Sequence, residues 1–300
     1  AIGRALYDGM KLDPSIYLFG EGAMIKQHFD APQIEREFAD RVHTMPIAED
    51  GIVNFAVGAS LLGVKPVVNL ITSDFTYRAF DSIANTAAKL NFVLPDTEPR
   101  RTIVIQAEFL LAGPTTGQRP EMLFARIPGL SVMVPSTPKS AYDLMRQALT
   151  RPGVTIFFED REIRDQDLLL TPRPGAWPYA PAQLTVIAYG LMRQEVQLVL
   201  DQAGIGNVHL IDLNTLYPLD IDLIATNVKV TRQILVVEPD IWFGGIGAEI
   251  IAQLHEQGIQ FTAKRLGAPR EVIPASREGQ ARMLPTQEQI LEAIRGFGTL

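Results

Sequence analysis

Cysteine is absent from this 300-residue chain. Disulfides, thiolate metal sites and a cysteine nucleophile are therefore excluded. Such a composition is compatible with a reducing cytosol, and a cytoplasmic protein is the expectation. No run of about 18 apolar residues occurs, so no membrane span is expected. Basic residues are in the minority, 27 Lys and Arg against 34 Asp and Glu, for a net charge of −7. That balance argues against a general nucleic-acid surface.

What remains is ordinary for a globular protein, with 47% hydrophobic and 20% charged residues in a length sufficient for two cores. Ile2, Ala5, Leu6 and Met10 recur at helical spacing until Asp13-Pro14 stops the pattern. Short apolar runs suited to strands buried on both faces follow at Ile16–Phe19, Val67–Ile71, Thr102–Gln106, Ser131–Pro135 and Val154–Phe158. Helical patterns at Val53–Leu62, Tyr77–Leu90 and Lys139–Leu149 separate several of them. Pro172, Pro174, Pro178 and Pro181 then interrupt the periodicity. Beyond them the alternation restarts, with strands at Leu184–Tyr189, Val208–Leu213 and Gln233–Val237 and helices at Met192–Ala203, Leu219–Thr226 and Gly247–Glu256. The pattern predicts an α/β protein of two three-layer parallel-sheet domains, residues 1–165 and 183–300, joined by a linker over 166–182.

The most informative stretch is Met45-Pro46-Ile47-Ala48-Glu49-Asp50-Gly51-Ile52, an acid between an extended run and a small-residue helix start. Open α/β sheets bind ligands at that edge. Gly58-Ala59-Ser60-Leu61-Leu62-Gly63, Lys65-Pro66-Val67-Val68 and Asp74-Phe75-Thr76-Tyr77-Arg78-Ala79-Phe80-Asp81 follow in order. In the second half come Asp212-Leu213-Asn214-Thr215-Leu216-Tyr217-Pro218, Ile234-Leu235-Val236-Val237-Glu238 and Gly244-Gly245-Ile246-Gly247-Ala248-Glu249-Ile250. Each motif alone is weak. Their ordered combination, over nearly the whole chain, resembles the beta subunit of the thiamine-diphosphate-dependent 2-oxo acid dehydrogenase first component.

That resemblance implies a transketolase-like pyrimidine-binding domain followed by a transketolase C-terminal-like domain. It implies thiamine diphosphate as cofactor, with its aminopyrimidine end held by this chain. Glu49 matches the carboxyl group that drives the imino tautomer of the aminopyrimidine. As a residue alone, it reads equally as a first-turn acid favoured by the helix dipole. Phe75 matches the ring that stacks on the aminopyrimidine, against an ordinary core reading. Glu21 matches an acid of the cofactor chamber, against a solvated turn acid. Arg78 is a candidate for an anionic substrate group, against a surface ion pair. The family's Gly-Asp-Gly…Asn motif for diphosphate and metal is absent from the sequence. The resemblance therefore implies an alpha-type partner supplying that half-site and its Mg2+, in an assembly of two alpha and two beta chains. Gly244-Gly245-Ile246-Gly247 has the look of a phosphate loop but sits where the family uses it for packing.

One departure is clear. Counting back from Ile127-Pro128-Gly129-Leu130 places Thr116 where the family carries a substrate-orienting His. Threonine does not exchange a proton near neutral pH as histidine does. Gln118 and Arg119 are candidates for binding an anion or carbonyl instead, and His28 for folding back to serve; the other histidines are His43, His209 and His255. The implied activity is formation of a carbanion–enamine from a 2-oxo acid and transfer of the acyl unit to a lipoyl or carrier-protein domain. Gly113-Pro114-Thr115 also resembles a transketolase run, which keeps ketol transfer from a ketose to an aldehyde or carrier protein in view. A non-catalytic scaffold subunit is the alternative of another class.

Overall fold

The computed structural model describes residues 1–21, 32–110, 112–164 and 182–298. His28, and all of the expected linker except Ala182, lie outside the described residues. Among the described residues, eleven strands form two sheets. The first contains β1 (Ile16–Glu21), β2 (Val42–Met45), β3 (Lys65–Thr72), β4 (Thr102–Phe109), β5 (Leu130–Met133) and β6 (Gly153–Asp160). The second contains β7 (Leu184–Ala188), β8 (Val208–Asp212), β10 (Gln233–Ile241) and β11 (Thr262–Ala268). A short strand between β8 and β10, β9 (Thr215–Tyr217), leaves its neighbours in sequence and pairs antiparallel with β5. The spatial orders are β2-β1-β3-β4-β6-β5-β9 and β11-β10-β7-β8, and every pairing except β5–β9 is parallel.

Parallel sheets need cover on both faces. On one face of the first sheet, Leu6 and Met10 of helix α1 (Ile2–Leu12) pack with Met145 and Leu149 of the helix Pro138–Thr150 over Leu18, Val67, Val104 and Phe157. The latter helix starts at a reciprocal cap between Thr137 and Ser140. The other face carries Ile52, Val53 and Ala56 of the helix Glu49–Leu61. That apolar cluster continues without a break through Ile187, Val236, Val228 and Ile250 of the second sheet and its helices. The remaining face of the second sheet is closed by Val196 and Leu200 of the helix Gly190–Ala203 with Ile290 and Ile294 of the helix Gln287–Arg295.

The helix expected over Tyr77–Leu90 is replaced by a 3-10 turn at Ser73–Tyr77, a π-helical segment at Ser82–Ala87 and one α-turn at Leu90–Val93. Of the apolar face expected there, Ala79, Ile83, Ala87 and Leu90 are buried and Phe80 is half-buried against the same core. What differs is the winding. Ala88 N–H donates to Ile83 O, five residues back, and Ser82 Oγ is held by the Asp50 carboxylate and by Asn54 Nδ2. These tertiary hydrogen bonds compete with regular helical spacing, and wide turns of this kind recur near functional sites. Strands β2, β9 and β11 and the helix Gln287–Arg295 add to the expected pattern. None of the helices among the described residues is long and apolar enough to cross a membrane.

Candidate cofactor and active site

Because β1 to β4 run parallel and adjacent, their carboxyl ends open on one edge of the sheet. Glu21 is the last residue of β1 and only 2% exposed. Burial, and then the charge of Glu49, push its pKa up to about 7. Its Oε1 is buried with no hydrogen-bond partner among the described residues. Glu49 is the first residue of its helix and 8% exposed. Ala48 before it provides no side-chain cap, so Glu49 and Asp50 are the acids facing the positive helix end. The structural and chemical readings of Glu49 therefore coexist at one position.

The end of β3 is distorted. Its register against β4 shifts between Asn69 and Thr72, and Ile71 has φ 64°, with its N–H donated to Asn69 Oδ1 at 3.0 Å. A left-handed β-branched residue costs about 1–3 kcal/mol, and such strain concentrates at functional edges. The distortion feeds the chain directly into the Ser73–Tyr77 turn, where the ring of Phe75 is half-buried and Arg78 next to the turn is exposed. Asp74 is 7% exposed and accepts the Gln118 N–H at 3.1 and 3.3 Å.

The loop after β4 brings the remaining candidates to the same edge. Thr116 donates its hydroxyl to Ala112 O at 2.9 Å, and the Gln118 side-chain amide donates to Pro114 O at 3.3 Å. Arg119 turns away from them. Its Nη1 lies 2.6 Å from Asp160 Oδ1, its Nε 3.1 Å from Glu121 Oε1, and its guanidinium carbon 3.7 Å from the centre of the Phe109 ring. Tyr189 donates to Glu121, and the Leu191 N–H to Asp160, so this hub joins the two domains. Glu238 and Asp240 stand nearby; burial first pushes their pKa values up to about 7 and about 8, and the charge of Glu121 adds to both. The sequence gives no signal for this cluster, because its members come from five separate elements or loops. The Gly244–Gly247 run has an equally clear role. Gly247 N–H donates to Glu238 Oε2 at 3.3 Å, and a Cβ on Gly245 would land on that carboxylate. A loop wrapped around an acid is no phosphate cradle.

Residues 1–164 match the family model "Transketolase, pyrimidine binding domain", and residues 180–290 match "Transketolase, C-terminal domain". The pyruvate dehydrogenase E1 component subunit beta of Gracilaria tenuistipitata var. liui is 30% identical, over 99% of this chain and 97% of its own length. The chain belongs to the transketolase-like family of 2-oxo acid dehydrogenase beta subunits. Within that family, 2-oxoisovalerate dehydrogenase subunit beta 2, mitochondrial, of Arabidopsis thaliana is 28% identical over 98% of this chain and 87% of its own. The beta subunit of the acetoin:2,6-dichlorophenolindophenol oxidoreductase of Cupriavidus necator is 29% identical over 98% and 95%. Among solved structures, "Split gene transketolase, inactive beta4 tetramer" superposes with a TM-score of 0.81 at 20% identity, covering 100% of this chain and 97% of that one. At that identity it speaks to fold alone.

Thiamine diphosphate is the cofactor of this family, and the residues present fit one end of it. A buried carboxyl oxygen without a partner on Glu21, a second carboxyl on Glu49 and a half-open aromatic face on Phe75 suit a flat, nitrogen-bearing ring. Among the described residues, no group of three or more His, Asp or Glu side chains is placed to hold a metal ion.

Proposed function

We propose that this chain is the beta-type half of a heteromeric enzyme that decarboxylates a 2-oxo acid and hands the acyl unit to a lipoyl or carrier-protein domain. The observation that carries the reading is the juxtaposition of Glu21 and Glu49, two buried carboxyl groups, one ending β1 and the other opening the helix that follows β2. Thiamine diphosphate, when bound, supplies the nucleophilic carbon that attacks the substrate carbonyl and the electron sink for loss of carbon dioxide. Glu49 would hydrogen-bond the ring nitrogen of the aminopyrimidine and hold the imino tautomer. Glu21, with a pKa near neutrality, would keep a proton beside it and so limit the charge in the chamber. Phe75 would give the ring its apolar face. Thr116 and Gln118 would line the substrate and acceptor side, and exposed Arg78 would meet an anionic group at the mouth.

The sequence lacks the Gly-Asp-Gly…Asn motif, and the relatives are named as beta subunits. Both support an alpha-type partner that brings the diphosphate and Mg2+ half-site, in an assembly of two alpha and two beta chains. A chain without cysteine suits a reducing compartment, and we place it in the cytosol.

The test is Glu49→Gln in the assembled complex. Turnover should fall about 10²- to 10⁴-fold while the cofactor still binds. Unchanged turnover would instead favour a scaffold subunit. The Gly113-Pro114-Thr115 run, beside the missing dehydrogenase His at Thr116, favours one second reading, ketol transfer. Turnover of ketose phosphates without carbon dioxide release would select it over 2-oxo acid decarboxylation.

A further inference from the structure

Two loops leave neighbouring strands at the proposed site, and the backbone of one residue, Gln118, joins them. The Gln118 N–H is accepted by both oxygens of Asp74, at 3.3 and 3.1 Å, and the Gln118 carbonyl accepts Ser73 Oγ–H at 2.7 Å. Both backbone polar groups of Gln118, from two successive peptide units, are thus bound by consecutive residues of the turn that carries Phe75. The clamp is dry: Asp74 is 7% exposed and Ser73 0%. It is supported from behind by Thr72 Oγ1, 3.5 Å from Asp74 Oδ2, and by Thr76 Oγ1, which donates to Ser73 O. Among the described residues, the other hydrogen bonds from Thr116, to Ala112 and Gly113, and from the Gln118 side-chain amide, to Pro114, stay within the loop, while the neighbouring Arg119 is tied to Glu121 and Asp160. Burial raises the pKa of the Asp74 carboxyl, against the opposing effect of the Gln118 N–H.

We propose that Asp74, assisted by Ser73, is a positioning residue that locks the Thr116–Gln118 loop to the Phe75 turn, so that the cofactor-stacking ring and the substrate-facing loop are set as one rigid unit. The proposal rests on the roles given above to Phe75 and to Thr116–Gln118. It explains why an acid that touches neither reactant is buried at this edge. A loop free to drift by about 1 Å loses effective orientation, which is costly in catalysis.

The variants are Asp74→Ala, which removes the acceptor, and Asp74→Asn, which keeps an acceptor oxygen of the same shape. Both are examined in the assembled complex by amide hydrogen exchange, by thiamine diphosphate affinity, and by KM and kcat for a 2-oxo acid. Asp74→Ala should speed exchange at the Gln118 amide about tenfold or more and raise both the cofactor Kd and the substrate KM about tenfold. Asp74→Asn should restore all three to within about threefold of the wild type. Should Asp74→Ala fail to fold, Ser73→Ala removes the partner of the Gln118 carbonyl and should shift the same readouts about threefold. Faster exchange with unchanged Kd and KM overturns the positioning role. Exchange unchanged in Asp74→Ala overturns the clamp itself. Equal damage from Asn and Ala overturns the hydrogen-bond argument in favour of charge. If the wild-type complex binds no thiamine diphosphate, the site reading fails and the positioning role falls with it, while the exchange data still decide whether the clamp exists.

Discussion

Arg119 offers the sharpest test of the electrostatics, because the sequence makes it a substrate binder and the structure makes it a hub. Its side chain is 11% exposed, while Glu121 and Asp160, which it bridges, are 0% and 2% exposed. Methionine keeps much of the apolar stem against Phe109 but leaves two buried carboxylates facing each other without a cation. Breaking a buried ion pair on one side typically costs about 3–5 kcal/mol. For a protein of this size that corresponds to a fall of roughly 5–8 °C in Tm. The loss should depend on pH with a definite sign. Burial already raises the pKa of Glu121, and the charge of Arg119 opposes that rise, so without Arg119 the folded-state value climbs further. The added cost is absent where Glu121 is protonated in both proteins and grows as pH rises through the interval between its wild-type and variant folded-state values. Urea unfolding of Arg119→Met and wild type at pH 5 and pH 8 should therefore show the larger gap at pH 8. Arg119→Lys, a point charge that cannot bridge both acids and also cover the Phe109 ring, should fall between the two. A loss below about 1 kcal/mol, or one equal at both pH values, would refute the hub. A stable variant with a raised substrate KM would restore the anion-binding role.

Two further outcomes follow from the same coordinates. Glu21 has a pKa of about 7 against an ordinary 4.5, so the cofactor-free chain should lose stability as pH rises from about 4.5 to about 7, by up to about 3 kcal/mol, and Glu21→Gln should flatten that slope; a slope unchanged in the variant would place the titration elsewhere. Gly129 has φ 98° and a Cβ there would collide with the Ala88 carbonyl. Gly129→Ala should then cost several kcal/mol in urea unfolding, on the order of the larger single-substitution effects, and a near-neutral result would show that the Ala88 segment gives way.

How much of this was legible in the sequence depended on whether the information was local. Helix α1, the strands at Ile16, Val67 and Thr102, and the placement of Glu21 at a strand end and of Glu49 and Phe75 in the segments just past strand ends all follow from short-range periodicity and from motif order. In a parallel sheet the carboxyl edge is fixed once strand direction is fixed, so residues just past strand ends converge without any knowledge of contacts. Legibility stops where the deciding interaction is long-range. The helical pattern at Tyr77–Leu90 identifies the buried face correctly, yet the winding answers to Ser82 meeting Asp50 and Asn54 on another helix. Thr215–Tyr217 is three residues long and carries no strand signal strong enough to reveal that it crosses to the first sheet. Arg119 and Gln118 show the limit best. Adjacent in sequence, they read as equivalent candidates for a polar substrate, but one is held at the edge through its backbone by Asp74 and the other is drawn into the domain interface by Asp160 and Glu121. A cation's strongest partner is set by which carboxylates are desolvated with it. Desolvation belongs to the folded whole, and no window of sequence contains it.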